Sequence, residues 1–120
     1  NKLLVKMSEP LCIRSHNPET NKDWYYSCKA GDQFMAECQR VISFELQHAG
    51  FSESLSQVSM IPINTRSIIV KHYGINIECS IGYFELTGNS AALDYLLKAG
   101  IGSRRSSGFG VAKIIAQEEV

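Results

Sequence analysis

No stretch of this 120-residue chain approaches the 18 or more apolar residues of a membrane-spanning helix, so no membrane partner is expected. Nor does it read as opening with a secretory signal, because Lys2 and Lys6 flank only a short apolar run. Net charge is missing too: 12 basic and 12 acidic residues cancel, so the chain is not a uniform polyanion binder, and any nucleic-acid contact must rest on a local patch. The four cysteines, Cys12, Cys28, Cys38 and Cys79, contain no CxxC pair and match no zinc spacing. They read as reduced, mostly packed thiols of a cytoplasmic protein. No metal site and no other cofactor is expected. There is no internal repeat and no low-complexity segment. The chain begins at Asn1 without an initiator Met, which suggests a piece of a longer protein.

What is present fits one ordinary domain. Apolar residues make up 44% and charged residues 20%, enough for a real core. "LLVKM" at 3–7 reads as a strand that Pro10 ends or interrupts, and "LCIR" at 11–14 resumes the extended pattern. "HNPETNK" is a polar turn, and "DWYYS" at 23–27 returns as the second arm of a hairpin. Met35, Cys38, Ile42, Leu46 and Ala49 recur at helical spacing, with Phe34 and Val41 widening the stripe. The predicted helix runs over 32–49, with Asp32 as its N-cap and Gly50 as its stop.

"VSMIPINTRSIIVKH" at 58–72 is extended, with Pro62 marking an edge or a kink, and Tyr73-Gly74 makes a turn. Ile75, Ile77, Cys79, Ile81 and Tyr83 then alternate with polar and small residues, a strand with one buried face. "TGNS" supplies a turn and a cap. "AALDYLLKA" is a short helix with Leu93, Leu96 and Leu97 inward and an Asp94–Lys98 pair outside. Gly100 takes the place of a left-handed C-terminal cap. "VAKIIA" at 111–116 closes the chain as a strand. The order is β-α-β-β-α-β with an early hairpin, which predicts an α+β, ferredoxin-like domain with two helices on one face of an antiparallel sheet.

The densest signal is "GIGSRRSSGFG" at 100–110, which holds four of the nine glycines. It fails as a P-loop, because five residues separate Gly102 from Gly108 and no Lys-Ser/Thr pair follows. It fails as a dinucleotide fingerprint, because it follows a helix and precedes a strand. "SGFGVAKI" echoes an RNA-recognition signature but lacks its leading base and its later aromatics. Charge and geometry remain. Lys98, Arg104, Arg105 and Lys113 place four cations between 98 and 113 with no acid among them. Loop glycines let backbone N–H groups approach a phosphate, arginine forks bind it bidentately, and Ser103, Ser106 and Ser107 add hydroxyl donors. Phe109 either stacks on a base or anchors the loop.

"LKAGIGSRRSSGFGVAKII" closely resembles the C-terminal glycine-rich motif of the CRISPR-associated endoribonucleases that cut precursor CRISPR RNA, members of the RAMP superfamily. "YFELTGNSAALDYLLKAGIGSRRSSGFG" resembles their strand, short helix and loop in order. The Ser-Glu-Pro after the first strand, "DWYY" and the Phe34 helix also fit, so the resemblance spans essentially all of 1–120. It implies that this single ferredoxin-like unit is the C-terminal half of a two-domain protein. It also implies that the intact protein cleaves CRISPR repeat RNA without metal through the RNA 2′-hydroxyl. The general acid/base of the family, commonly a His, generally lies in the N-terminal half, so no catalytic role carries onto this chain. RNA contact carries onto Gly100, Gly102, Gly108 and Gly110 with Arg104 and Arg105, beside which Ser103, Ser106 and Phe109 are counted. The implied partners are repeat RNA, the N-terminal half or other CRISPR-associated proteins, and a second copy of the chain. Two alternatives stand beside this reading: a non-catalytic RAMP subunit holding guide RNA in an effector complex, and a protein-interaction module.

Among the histidines, His16 reads as a solvated loop residue and His48 as a cation suited to a helix C-terminus. His72, at a hairpin end beside Lys71 and Tyr73, is a weak catalytic candidate. Trp24, Tyr25 and Tyr26 read as core or edge packing, with a stacking platform as the alternative.

Overall fold

The computed structural model describes residues 1–118. In chain order these form β1 (Lys2–Met7), β2 (Ile13–Asn17), β3 (Lys22–Tyr26), α1 (Asp32–His48), β4 (Ser59–His72), β5 (Ile75–Thr87), α2 (Ser90–Ala99) and β6 (Ala112–Glu118). β2 and β3 pair with each other as a separate hairpin, while the other strands form one sheet in the order β4-β5-β1-β6. Every neighbouring pair in that sheet is antiparallel. With the hairpin set aside, this is the ferredoxin-like α+β arrangement that the element order predicts.

Residues paired directly across an antiparallel ladder share a face. Leu3 faces Leu86, Val5 faces Phe84 and Met60 faces Leu86, which gathers the apolar side of the sheet. Phe34, Cys38, Ile42 and Leu46 of α1 and Ala92, Leu93 and Leu96 of α2 close over that side. Each fully buried side chain of this size contributes about 1.5–3 kcal/mol of apolar transfer. The opposite side carries Leu4, Ile61 and Glu85, with Lys2 paired to Glu85 at 3.6 Å.

β4 and β5 run past the sheet as a long hairpin, closed by Tyr73 and Gly74 at φ 49° and 81°. Two successive positive φ values give the turn whose twist matches the paired strands. The β4 ladder shifts register between Pro62 and Asn64, the irregularity that Pro62 foreshadows.

Four local expectations need correction. β5 has two buried sides rather than one: Ile77 and Cys79 are buried as predicted, but Ile75 is exposed, and Phe84 and Leu86 enter the core from the other side. The reason is length, since a 13-residue strand passes beneath two different layers. The N-cap of α1 is Gly31 at φ 63°, and Asp32 is the first helical residue, where its charge still suits the helix dipole. Gly100 has φ 93° and ψ 160°, a positive-φ conformation suited to glycine but outside the left-handed helical well expected of the cap, and buried Ile101 follows it. Leu97 is only half-buried. Asn89 caps α2 by accepting from the N–H groups of Ala91 and Ala92 at 3.0 and 3.2 Å, and Asp94 pairs with Lys98 at 2.9 Å.

Candidate functional site

The glycine segment leaves α2 and folds back as a fastened loop. Ser103 N–H donates to Cys12 O at 2.7 Å, Gly110 N–H to Pro10 O at 2.8 Å, and Ile101 N–H to Gly110 O at 2.9 Å. The loop is thus stitched to the β1–β2 connection and to itself. Two glycines are dictated by this stitching. A Cβ on Gly110 would lie 1.9 Å from Ile101 O, and one on Gly102 would lie 2.6 Å from Cys12 O. Gly108 is different: it is exposed, and a Cβ there would meet nothing within 4 Å. The backbone freedom that the sequence suggests for phosphate approach therefore serves close self-packing at Gly102 and Gly110. Gly100 is buried against the aliphatic stem of Arg105.

The two arginines diverge. Arg105 sends a guanidinium nitrogen to within 2.9 Å of Glu45 Oε2. The Glu45 side chain is only 4% exposed, and its Oε1 accepts the Gly102 N–H at 3.0 Å. Burial pushes the Glu45 carboxyl up to about 7, against the opposing pull of Arg105 and the Gly102 N–H. Arg104 turns the other way. It donates to Tyr25 Oη at 2.6 Å and lies over the Tyr25 ring, 5.5 Å from its centroid. Arg104 also holds a left-handed conformation, φ 57° and ψ 33°, which is costly for a residue with a Cβ. A strained arginine whose head is pinned in place is a pattern concentrated at functional sites.

Between loop and helix lies a cavity of about 660 Å³, bordered by Arg14, Phe44, Glu45, His48 and residues 102–107. Ser103 Oγ accepts the Arg14 N–H at 3.0 Å and ties β2 to the rim. Ser106 and Ser107 are exposed. Three arginines and one carboxylate border the cavity, so the lining is cationic when Glu45 is ionised and more so when it is protonated. Arg14 also lies 3.9 Å from Asp23, whose carboxyl is held below the usual range by its hydrogen bond to His16 at 2.6 Å and by Arg14. Lys98 and Lys113 do not line this cavity: Lys98 pairs with Asp94, and Lys113 lies opposite Lys6 on β6.

Phe109 is 6% exposed and packs with Cys12, Ile77 and Cys79. Of the two roles its sequence position leaves open, this burial fits the anchor. Its edge meets His72, 5.6 Å away and nearly perpendicular. His72 thus lies beside the glycine loop, at a small cavity of about 180 Å³ shared with Glu9, Pro10, Ser107 and Gly108. His16 belongs to the β2–β3 hairpin. His48 stacks on Phe44 at the end of α1, with ring centroids 5.9 Å apart. Trp24 is largely exposed. Among the described residues no three His, Cys, Asp or Glu side chains converge as metal ligands, all four cysteines are free thiols, and no helix is long and apolar enough to cross a membrane.

Glu45, Arg14 and Phe44 border the site although sequence reasoning gave none of them a role there, and Tyr25, offered as packing or as part of a stacking platform, instead holds Arg104. One signal was present for Glu45: it follows Ile42 by three positions on the apolar stripe of α1, where a carboxylate demands a partner.

Residues 1–114 match the sequence model of the C-terminal part of the CRISPR-associated protein Cas6. Three solved structures share the fold. One is the product of a Cas6-related gene from Pyrococcus furiosus, with TM-score 0.82 and 17% identity over 98% of this chain and 49% of that one. A RAMP protein binding different RNA substrates has TM-score 0.82 and 18% identity over 96% of this chain and 49% of that one. A CRISPR-associated protein Cas6 has TM-score 0.76 and 14% identity over 95% of this chain and 48% of that one. The chain spans about half the length of these structures. No curated protein matches it by sequence.

Proposed function

Because the chain belongs to the family of Cas6 C-terminal domains, we propose that it is the RNA-holding half of a CRISPR RNA-processing endoribonuclease. The observation that carries this reading is the cationic cavity between the glycine loop and α1, which Arg14, Arg104 and Arg105 border together with Ser106 and Ser107. Arginine and serine in a concave site suit phosphate oxygens of a nucleic-acid backbone. The matched solved structures include a protein described as binding different RNA substrates, which supports RNA as the partner. In the intact protein the RNA 2′-oxygen attacks the adjacent phosphorus and the bond to the 5′-oxygen breaks. A cyclic phosphate forms, and the proton passes to the departing 5′-oxygen. The general acid and base for that transfer belong to the other half, and this chain orients the strand.

A second reading has its own support. His72, a residue type suited to proton transfer, lies beside the exposed end of the glycine loop next to Ser107 and Gly108. In that reading the cleavage chemistry lies within this chain.

The test is a gel assay of the chain with labelled CRISPR repeat RNA in the presence of EDTA. Binding without cleavage is expected. Cleavage that disappears in His72→Ala moves the chemistry into these residues. Absence of binding sinks the RNA-holding reading and leaves a protein-interaction module.

A further inference from the structure

Phe44 is out of place for a phenylalanine. It is 71% exposed on α1, two positions past Ile42 and away from the buried stripe. Its ring lies nearly parallel to that of His48 one turn later, 16° between planes and 5.9 Å between centroids. Both side chains are exposed, so the pair presents an open aromatic surface to solvent. That surface borders the same cavity as Arg14 and Arg105 and the loop serines. Apolar surface of this kind beside fixed cations and hydroxyls matches a nucleotide, which carries a flat π-face and an anionic phosphate a few ångströms apart. The cavity, at about 660 Å³, lies within the range of small-ligand sites.

We propose that Phe44, backed by His48, is a stacking platform for one unpaired RNA base whose own or adjacent phosphate rests against the arginines and serines of the cavity. The inference rests on the RNA-holding reading above and specifies what that site takes: a single-stranded or splayed nucleotide, since a base inside a duplex has both faces occupied. Base–aromatic stacking is tolerant of base identity, so this contact adds affinity and fixes the position of the strand without reading its sequence. The phosphate side of the site is charge-driven and salt-dependent, whereas the stacking side is not. The two contributions therefore separate experimentally.

The test uses the full chain with a fluorescently labelled single-stranded RNA, in titrations at several salt concentrations. Phe44→Ala and Phe44→Leu are expected to lower affinity about tenfold with an unchanged dependence on salt, while Phe44→Trp retains affinity. An RNA scanned with abasic positions is expected to show one position whose loss matches Phe44→Ala and adds nothing to it. Phe44 is exposed, so these variants keep the core, and circular dichroism checks that they do. Wild-type binding with equal affinity in Phe44→Ala overturns the platform and leaves the RNA-holding reading intact. No RNA binding by the wild type overturns both. An unchanged RNA affinity with altered self-association in Phe44→Ala assigns the ring to protein contact and also overturns the platform.

Discussion

The Arg105 guanidinium reaches a carboxylate that α1 holds inside the protein: Glu45 Oε2 lies 2.9 Å from it, on a side chain 4% exposed. The same carboxylate takes the N–H of Gly102. One acid thus holds both a backbone N–H and a guanidinium of the glycine loop.

This gives the protein a pH response. Glu45 rises from 4.5 in the unfolded chain to about 7 in the fold, so the native state holds more protons between those values. Stability from this group is fully present below pH 4.5 and is lost as pH rises through about 7, with an upper bound of about 3 kcal/mol. Urea denaturation from pH 4.5 to 8 is expected to show that decline in the wild type and lose most of it in Glu45→Gln.

The same titration frees Arg105. Below about pH 7 Glu45 is neutral and Arg105 no longer has an ionised partner. RNA affinity is expected to rise from pH 8 to pH 6, and Glu45→Gln is expected to bind at pH 8 as the wild type does at pH 6. Equal pH profiles for the two proteins would exclude Glu45 as the controlling group.

Arg105→Ala strands the Glu45 carboxylate without its cation. The cost is expected to be about 3 kcal/mol at pH 8, the low end for breaking a buried pair because Arg105 is itself one-third exposed. It shrinks at pH 5, where Glu45 is protonated. Chemical denaturation at the two pH values checks the difference.

The loop glycines are not equivalent. Gly110→Ala meets Ile101 O and Gly102→Ala meets Cys12 O, both backbone atoms that cannot swing aside. Each is expected to cost about 3 kcal/mol or more. Gly108→Ala keeps φ near 90° but touches nothing, so it is expected to cost only about 1–2 kcal/mol. Thermal unfolding of the three variants ranks them.

Replacing Arg104 and Arg105 together by Ala is expected to weaken RNA binding and flatten the slope of log affinity against log salt by about two units. Titrations at four or more salt concentrations measure that slope. An unchanged slope would show that neither guanidinium meets a phosphate and that both serve Tyr25 and Glu45 only.

The order of elements was legible without any structure. Helical spacing in α1, alternation in β5 and the Tyr73-Gly74 turn are local properties, written by residues one to four positions apart. They determined the β-α-β-β-α-β order, and with it the antiparallel ferredoxin-like sheet. The cationic, glycine-rich character of 100–110 was equally plain. What the chain does with that segment was decided only by tertiary packing. Glu45 meets Arg105, Tyr25 meets Arg104, and His72 meets Phe109 across long stretches of sequence, and each meeting depends on which strands lie side by side. Periodicity reports the face a residue takes on its own element. It carries no information about which distant side chain stands opposite, because that is set by sheet order and register, where burial and charge pairing are satisfied together.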